Sequence, residues 1–292
     1  LRLAGALWRF WETRGHLREG DRWLAAALAL GDDAPAPLRA KALNAAGNLA
    51  RDLRDDARAT ALHSASLALH RAIGDQVGVS KALSNLGEVA RDGGRYDEAR
   101  AFYEQSLALK RQSRDDWGIA LVLHNLGEVS RDSGRVAAAR DYYEQSLALK
   151  RQLGDRRGAA HVCLNLGRLL RGQGDRDAAR PLLEEGLARC RELGDKGGTA
   201  TALLALGGLA REDGDADRAI SLLGEGARLA AALGDAATCA ACLDELAAAV
   251  ADDPARAARL REAAAALRAG RQQASAPPPG MALDEVLAGV AP

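Results

Sequence analysis

A glycine returns every forty residues along this chain, and a whole block of sequence returns with it. The glycines in question are Gly47, Gly87, Gly127, Gly167 and Gly207. A fixed period of about 20 to 50 residues is typical of solenoid proteins, in which each unit buries its apolar face only against its neighbours. The period therefore predicts a stack of similar units, not one central core.

Both halves of each block are repeated. The segment Ser84–Asp92 recurs at His124–Asp132 and more loosely at Leu164–Arg171, while Tyr103–Gln112 is copied at Tyr143–Gln152. Small residues keep the same period, which predicts places where two helix backbones approach closely. One such column is Ala59, Ala99, Ala139, Ala179 and Ala219, and a second is Ser66, Ser106, Ser146, Gly186 and Gly226.

Each block is interpreted as two antiparallel helices. A turn signal such as Asp92–Arg95 lies between the halves, and its glycine can adopt the positive φ that ends a helix. Between blocks, a glycine followed by aspartate ends one helix and caps the next, as at Gly74 and Asp75 or Gly154 and Asp155. Apolar residues keep helical spacing and nothing alternates with period two, so the sequence predicts an all-α chain.

The pattern within a block resembles the tetratricopeptide repeat. Leu86 and Gly87 match its first helix, and Ala99, Tyr103 and Ser106 match its second. The forty-residue period exceeds the usual length of about 34 and is similar to the repeats of Pins/LGN and kinesin light chains. The resemblance implies an α-solenoid, a right-handed superhelix of about seven helix-turn-helix pairs.

The repeats divide the chain into expected units. A divergent helix pair covers 1–35, an array covers 36–270, a Pro-rich linker covers 271–280 and a short helix covers 281–292. Within the array the units are 36–75, 76–115, 116–155, 156–195, 196–235 and 236–270. Three of the four tryptophans, Trp8, Trp11 and Trp23, fall in the first unit. They are interpreted as covering the end of the array, with a partner-binding patch as the alternative.

The opening segment, Leu1 to Leu24, resembles the start of the tetratricopeptide region in bacterial signalling ATPases and LuxR-type transcriptional regulators. The chain begins with leucine, so we expect a fragment of a larger protein. An excess of Ala, Arg and Gly favours a bacterial source. The resemblance implies a sensor or interaction region whose signalling domain lies elsewhere.

Composition and motifs argue against catalysis. Forty basic residues balance forty acidic ones, so net charge favours neither nucleic acid nor an anionic membrane. Cysteine spacing fits no disulfide framework, which favours a reducing cytoplasm, and the Cys239 and Cys242 pair is interpreted as two small buried residues. No phosphate loop, nucleophile turn or zinc helix is present. We expect no enzyme activity, cofactor or metal.

The resemblance places the binding site on the concave face, which the first helix of each pair lines. Asn85, Asn125 and Asn165 stand two residues before successive glycines, although asparagine is a poor residue for a helix interior. An amide can donate to and accept from an extended peptide backbone, and related peptide-binding proteins use asparagines at this register in that way. The alternative is that each amide bonds a neighbouring helix and fixes the repeat spacing.

The full set of candidate residues includes these asparagines and the charged side chains around them. Arginines form a column that ion pairs on the same helix explain equally well, for example Glu88 with Arg91. In the fifth unit the basic residues have no acid within the expected lining, which predicts a carboxylate or phosphate site. The candidates are Asn44, Asn48, Asn85, Asn125, Asn165, Glu88, Arg91, His124, Glu128, Arg131, His161, Arg168 and Arg171.

The sequence thus predicts a non-enzymatic module that binds a peptide or a protein partner, without direct contact to nucleic acid or membrane. One alternative is a self-association scaffold, in which the Trp-rich end or the 281–292 helix docks on another copy. A less favoured alternative is a phosphatase-like regulator of a signalling partner, for which Glu88 and Glu128 are the only candidate acids.

Overall fold

The computed structural model describes residues 1–31 and 33–272, with side chains as far as residue 269. The described residues form fourteen α-helices and no strand, which confirms the all-α prediction. They fall into two compact units, 1–149 and 150–292. The short helix predicted at 281–292 and nearly all of the 271–280 linker lie outside the described residues.

The helices follow the forty-residue period. The first unit contains α1 (Arg2–Arg14), α2 (Leu17–Leu30), α3 (Ala36–Asp52), α4 (Asp56–Ala72), α5 (Gln76–Asp92), α6 (Tyr96–Gln112), α7 (Asp116–Asp132) and the start of α8 (Val136–Gln152). The second contains α9 (Arg156–Gly172), α10 (Arg176–Glu192), α11 (Lys196–Glu212), α12 (Ala216–Ala232), α13 (Ala236–Ala249) and α14 (Pro254–Gln272). Each unit is therefore a stack of helix pairs, as expected of a helical solenoid.

The periodic glycine lets the two helices of a pair pack closely. A Cβ at Gly87 would lie 2.8 Å from the ring of Tyr103, and one at Gly127 would lie 2.6 Å from the ring of Tyr143. Both distances are shorter than van der Waals contact, so only glycine leaves room for the ring. Gly47, Gly167 and Gly207 face His63, Leu183 and Leu223 in the same way.

The serine column joins the second helix of a pair to the backbone of the first. Ser66 Oγ donates to the carbonyl of Ala40 at 2.8 Å, and Ser106 Oγ donates to the carbonyl of Ser80 at 2.8 Å. Ser146 Oγ repeats the bond at 2.7 Å. Because a buried hydroxyl needs a partner, a small residue with a hydroxyl fits this close approach. The predicted backbone approach is confirmed at these positions.

The predicted helix caps are also present. Asp75 accepts a hydrogen bond from the backbone N–H of Gly78 at 3.0 Å, and Asp155 accepts one from Gly158 at 2.8 Å. The glycine that precedes each aspartate is left-handed, with φ of 69° at Gly74 and 70° at Gly154. These bonds satisfy N–H groups that the first turn of a helix leaves without a partner.

One left-handed position carries arginine where the other blocks carry glycine. Arg114 has a φ of 53° at the register of Gly74 and Gly154. A left-handed conformation costs an L-residue roughly 1–2 kcal/mol, and glycine returns about half of this gain through its larger unfolded-state entropy. Arg114→Gly is therefore expected to raise the free energy of unfolding by about 0.5–1 kcal/mol in urea titration. Arg111→Gly, inside α6, is the control and should lower it by about 1 kcal/mol.

Candidate functional site

In the first unit, the first helices of successive pairs are joined by an amide cluster. Asn85 Nδ2 on α5 donates to Asn44 Oδ1 at 2.8 Å and to Asn48 Oδ1 at 3.1 Å, both on α3. His63 Nδ1 lies 3.3 Å from the same Asn44 oxygen. The two donors of the Asn85 amide are thus used between helices. This contact is the spacing role that was the alternative to peptide binding.

The other two asparagines share the register of Asn85 and differ in accessibility. Asn125 on α7 is buried, with 8% of its surface exposed, whereas Asn165 on α9 of the second unit is half-buried. Equal spacing in sequence therefore places three amides at equivalent backbone positions and gives them different surroundings.

The arginine column of the first unit pairs from one repeat to the next. Arg51 on α3 binds Glu88 on α5, and Arg91 on α5 binds Glu128 on α7. The pairing predicted within one helix, Glu88 with Arg91, is wrong because the carboxylate of the following first helix lies closer to the guanidinium. Each such pair holds two successive first helices together.

Two further candidates belong to the same stretch of α7. His124 Nε2 lies 3.7 Å from Glu128 Oε1, one helical turn away. Arg131 Nη2 donates to the carboxylate of its neighbour Asp132 at 2.7 Å. Across the described residues, no group of three or more His, Cys, Asp or Glu side chains is placed to hold a metal ion.

In the second unit, the expected acid-free basic site is wrong. Arg171 on α9 donates to Glu212 on α11 at 2.7 Å and to Glu245 on α13 at 2.9 Å. His161 Nε2 lies 3.0 Å from Asp195 Oδ2. The carboxylates come from the next two first helices and the next cap, where the lining pattern of one repeat does not show them. These cations are therefore already neutralised by the protein.

Glu245 is the centre of this network. Arg211 Nε also donates to it, at 2.7 Å. Burial opposes ionisation of Glu245, but the hydrogen bonds and charges of Arg171 and Arg211 hold its pKa below the usual value. The carboxylate therefore stays charged at neutral pH and ties α13 to α9 and α11.

Each unit has a cavity beside its first helices. The cavity of the second unit has a volume of about 490 Å³, and Arg168, Arg171 and Glu245 contribute to a wall of mixed charge. The cavity of the first unit, about 460 Å³, is lined by Trp8, Lys41, Asn44, Val77 and Lys81 among others. Sequence spacing indicated the lysines and Asn44 but not Trp8 or Val77, because a different helix pair brings Trp8 there.

The tryptophans of the first helix pair do not share one role. Trp11 is buried and fills the space above Gly20, where a Cβ would lie 2.5 Å from the indole. Trp8 is half-buried at the cavity, and Trp23 is 60% exposed. Only Trp11 fully matches the interpretation of a covered end.

The remaining candidates for chemistry are buried or absent from the described helices. Cys239 and Cys242 are buried, as predicted, and burial raises the pKa of Cys242 to about 12, which keeps the thiol protonated at neutral pH. Among the helices described, none combines the length and apolar character needed to cross a bilayer.

Solved structures with the same fold are found in several organisms, and a comparison with curated protein sequences gives no significant match. The quorum sensor NprR from B. thuringiensis, in its apo form, has a TM-score of 0.72 at 17% identity and covers 87% of this chain and 72% of its own. The Rap conjugation gene regulator of plasmid pLS20, in complex with the Phr* peptide, has a TM-score of 0.68 at 15% identity, with coverages of 93% and 73%.

A third similar structure comes from a eukaryote. A putative kinesin light chain of Podospora anserina has a TM-score of 0.57 at 18% identity and covers 67% of this chain and 96% of its own. The sequence model described as "Tetratricopeptide repeat" matches residues 19–112, 118–192 and 164–232, which together span most of the chain. The chain therefore belongs to the tetratricopeptide repeat family.

Proposed function

We propose that this chain is a non-enzymatic module that binds a peptide or a disordered protein segment along the first helices of its pairs. The observation that carries the proposal is a row of exposed apolar side chains on α5 and α7 of the first unit. Val77, Trp117 and Leu121 are 57%, 55% and 49% exposed. Exposed apolar side chains beside polar ones are typical of surfaces that bind a partner.

The apolar and polar residues of α7 lie on one stripe of the helix. Trp117, Leu121, Asn125 and Glu128 are spaced three or four residues apart, which places them on the same side. A ligand that covers Trp117 and Leu121 can therefore reach the amide and the carboxylate without a turn. An extended peptide has the length to follow such a stripe and continue to α5.

Two of the similar structures support the same proposal. One of those proteins was solved with a peptide, and the other is described as a quorum sensor. By analogy, the module is the sensor or interaction region of a larger bacterial signalling or transcription-regulating protein. In that setting a peptide on the first helices changes the activity of a domain attached to the repeats.

The proposal is tested by selecting ligands from a displayed library of random peptides on the immobilised chain. A selected peptide is then titrated against Asn85→Ala/Asn125→Ala and against Gln105→Ala/Gln145→Ala, whose side chains are exposed on the second helices α6 and α8. At about 0.5–1.5 kcal/mol for each lost hydrogen bond, the asparagine variant should bind roughly 5- to 150-fold more weakly. The glutamine variant should bind like the wild type.

The controls separate binding from stability. Both variants are compared by far-UV circular dichroism and urea unfolding before titration. If the asparagine variant is less stable but binds the peptide as tightly as the wild type, these amides are spacers and the site lies elsewhere. If no peptide is enriched over a blank support, the proposed function is wrong.

A further inference from the structure

Two lysines of the first unit differ from the arginines on the same helices. Arg51 and Arg91 each bind a glutamate of the next first helix. Lys41 and Lys81 lie about ten residues earlier on α3 and α5, are exposed, and form no ion pair within the described part of the chain. Their charges are therefore left for solvent or a ligand.

The carboxylates nearest to these lysines are already in use. Asp75, which senses the charge of Lys41, accepts the N–H of Gly78 and lies 2.9 Å from His70 Nδ1. Asp115 stands in the same relation to Lys81. It accepts an N–H from the start of α7 and a hydrogen bond from Lys110 Nζ at 3.1 Å. Neither aspartate can turn toward the lysine without uncapping a helix.

The two lysines line the same cavity and have an apolar wall beside them. We name the surface formed by Trp8, Lys41, Val77 and Lys81 the basic cleft. Its volume of about 460 Å³ can hold one or two amino-acid side chains together with their backbone. A cleft with two cations and an aromatic wall favours a ligand that is both anionic and partly apolar.

The apolar surface continues onto the next first helix. Trp117 and Leu121 occupy on α7 the positions that Val77 and Lys81 occupy on α5, forty residues earlier. Leucine thus replaces lysine at the third repeat, so the row changes from basic to apolar along the unit. A ligand that lies along this row meets charge first and apolar surface next.

From this arrangement, and building on the proposed function, we infer that the first unit selects an acidic peptide segment. Its carboxylates bind Lys41 and Lys81 in the basic cleft, and an aliphatic or aromatic side chain of the same segment covers Trp117 and Leu121. The charge complementarity selects the segment, because neutral or basic peptides leave both lysines uncompensated.

The experiment uses three fluorescein-labelled peptides of about twelve residues, roughly 40 Å when extended. The first alternates Glu with Leu and Trp, the second has Lys in place of each Glu, and the third has Ser in place of each apolar residue. Each is titrated by fluorescence polarisation against the full chain at low and high salt. The first peptide should bind most tightly, and its affinity should fall as salt rises.

Three variants locate the site. Lys41→Glu/Lys81→Glu and Trp117→Ser/Leu121→Ser should each bind the first peptide about tenfold more weakly. Lys196→Glu changes an exposed lysine in the second unit and should leave its affinity unchanged. Because all of these side chains are exposed, the variants should fold. Lys41→Gln/Lys81→Gln, expected to be intermediate, replaces the reversal if it does not.

The outcomes distinguish this inference from the proposed function. If the peptides enriched from the random library are neutral or basic, or bind the Lys41→Glu/Lys81→Glu variant as tightly as the wild type, the acidic selectivity is wrong while peptide binding stands. If neither the library nor the three designed peptides yield a ligand, both fail. An acidic ligand lost only in the cleft and α7 variants establishes the inference.

Discussion

Replacing Tyr103 with alanine is expected to lower the free energy of unfolding by about 3–5 kcal/mol. Tyr103 is fully buried and packs with Leu107, Val122 and Leu126 in the core of the first unit. It also fills the space that Gly87 leaves, so its loss opens a cavity between helices of two successive pairs. Urea unfolding followed by circular dichroism measures the change.

Two milder substitutions at the same position serve as controls. Tyr103→Leu introduces the residue found at this register in Leu183 and Leu223, and should cost only about 1–2 kcal/mol. Tyr103→Phe should leave stability unchanged or raise it by up to about 1 kcal/mol, because the Tyr103 hydroxyl is buried without a hydrogen-bond partner in the described structure. A loss below about 1 kcal/mol for the alanine variant would contradict the packing described.

Acidification from pH 7.5 to pH 5 is expected to remove about 2 kcal/mol of stability through a single side chain, His63. His63 is fully buried against Gly47, and burial, together with the charge of Arg51, lowers its pKa from 6.5 to about 4. Below pH 6.5 the unfolded chain therefore binds a proton that the folded chain does not. The stability present above pH 6.5 is lost as the pH falls toward 4.

The matched variant for this prediction is His63→Leu, since leucine already occupies the position at Leu183 and Leu223. The measurement is the difference in unfolding free energy between wild type and variant at pH 7.5 and at pH 5. That difference should move in favour of the variant by about 2 kcal/mol at the lower pH, because other titrating groups cancel between the two chains. An equal difference at both values would show that His63 is protonated without cost in the folded state.

Some features of the binding face were predictable and others were not. The asparagine register was visible because Asn85, Asn125 and Asn165 keep the forty-residue period. Their surroundings were not, since Asn85 bonds to α3 while Asn125 is buried. Sequence spacing locates a side chain on its own helix, and burial depends on the helices that pack beside it.

The charged columns show the same limit. An arginine at the end of a helix is expected near an acid three or four residues away. Arg91 instead binds Glu128, which is 37 residues later, and Arg171 binds Glu212 and Glu245, 41 and 74 residues later. A local rule cannot show these acids, because the offset depends on how one pair is rotated on the next.

The sequence by itself determined the helix pairs, the glycine turns, the aspartate caps and the small-residue columns. Each of these depends on backbone conformation or on contacts within one repeat, so it is written in residues close together in the chain. Only the tertiary structure decided which carboxylate meets each arginine, which amides are used between helices and where Trp8 completes a cleft with Lys41 and Lys81. Those outcomes depend on packing between repeats, where side chains from different helices compete for the same partner.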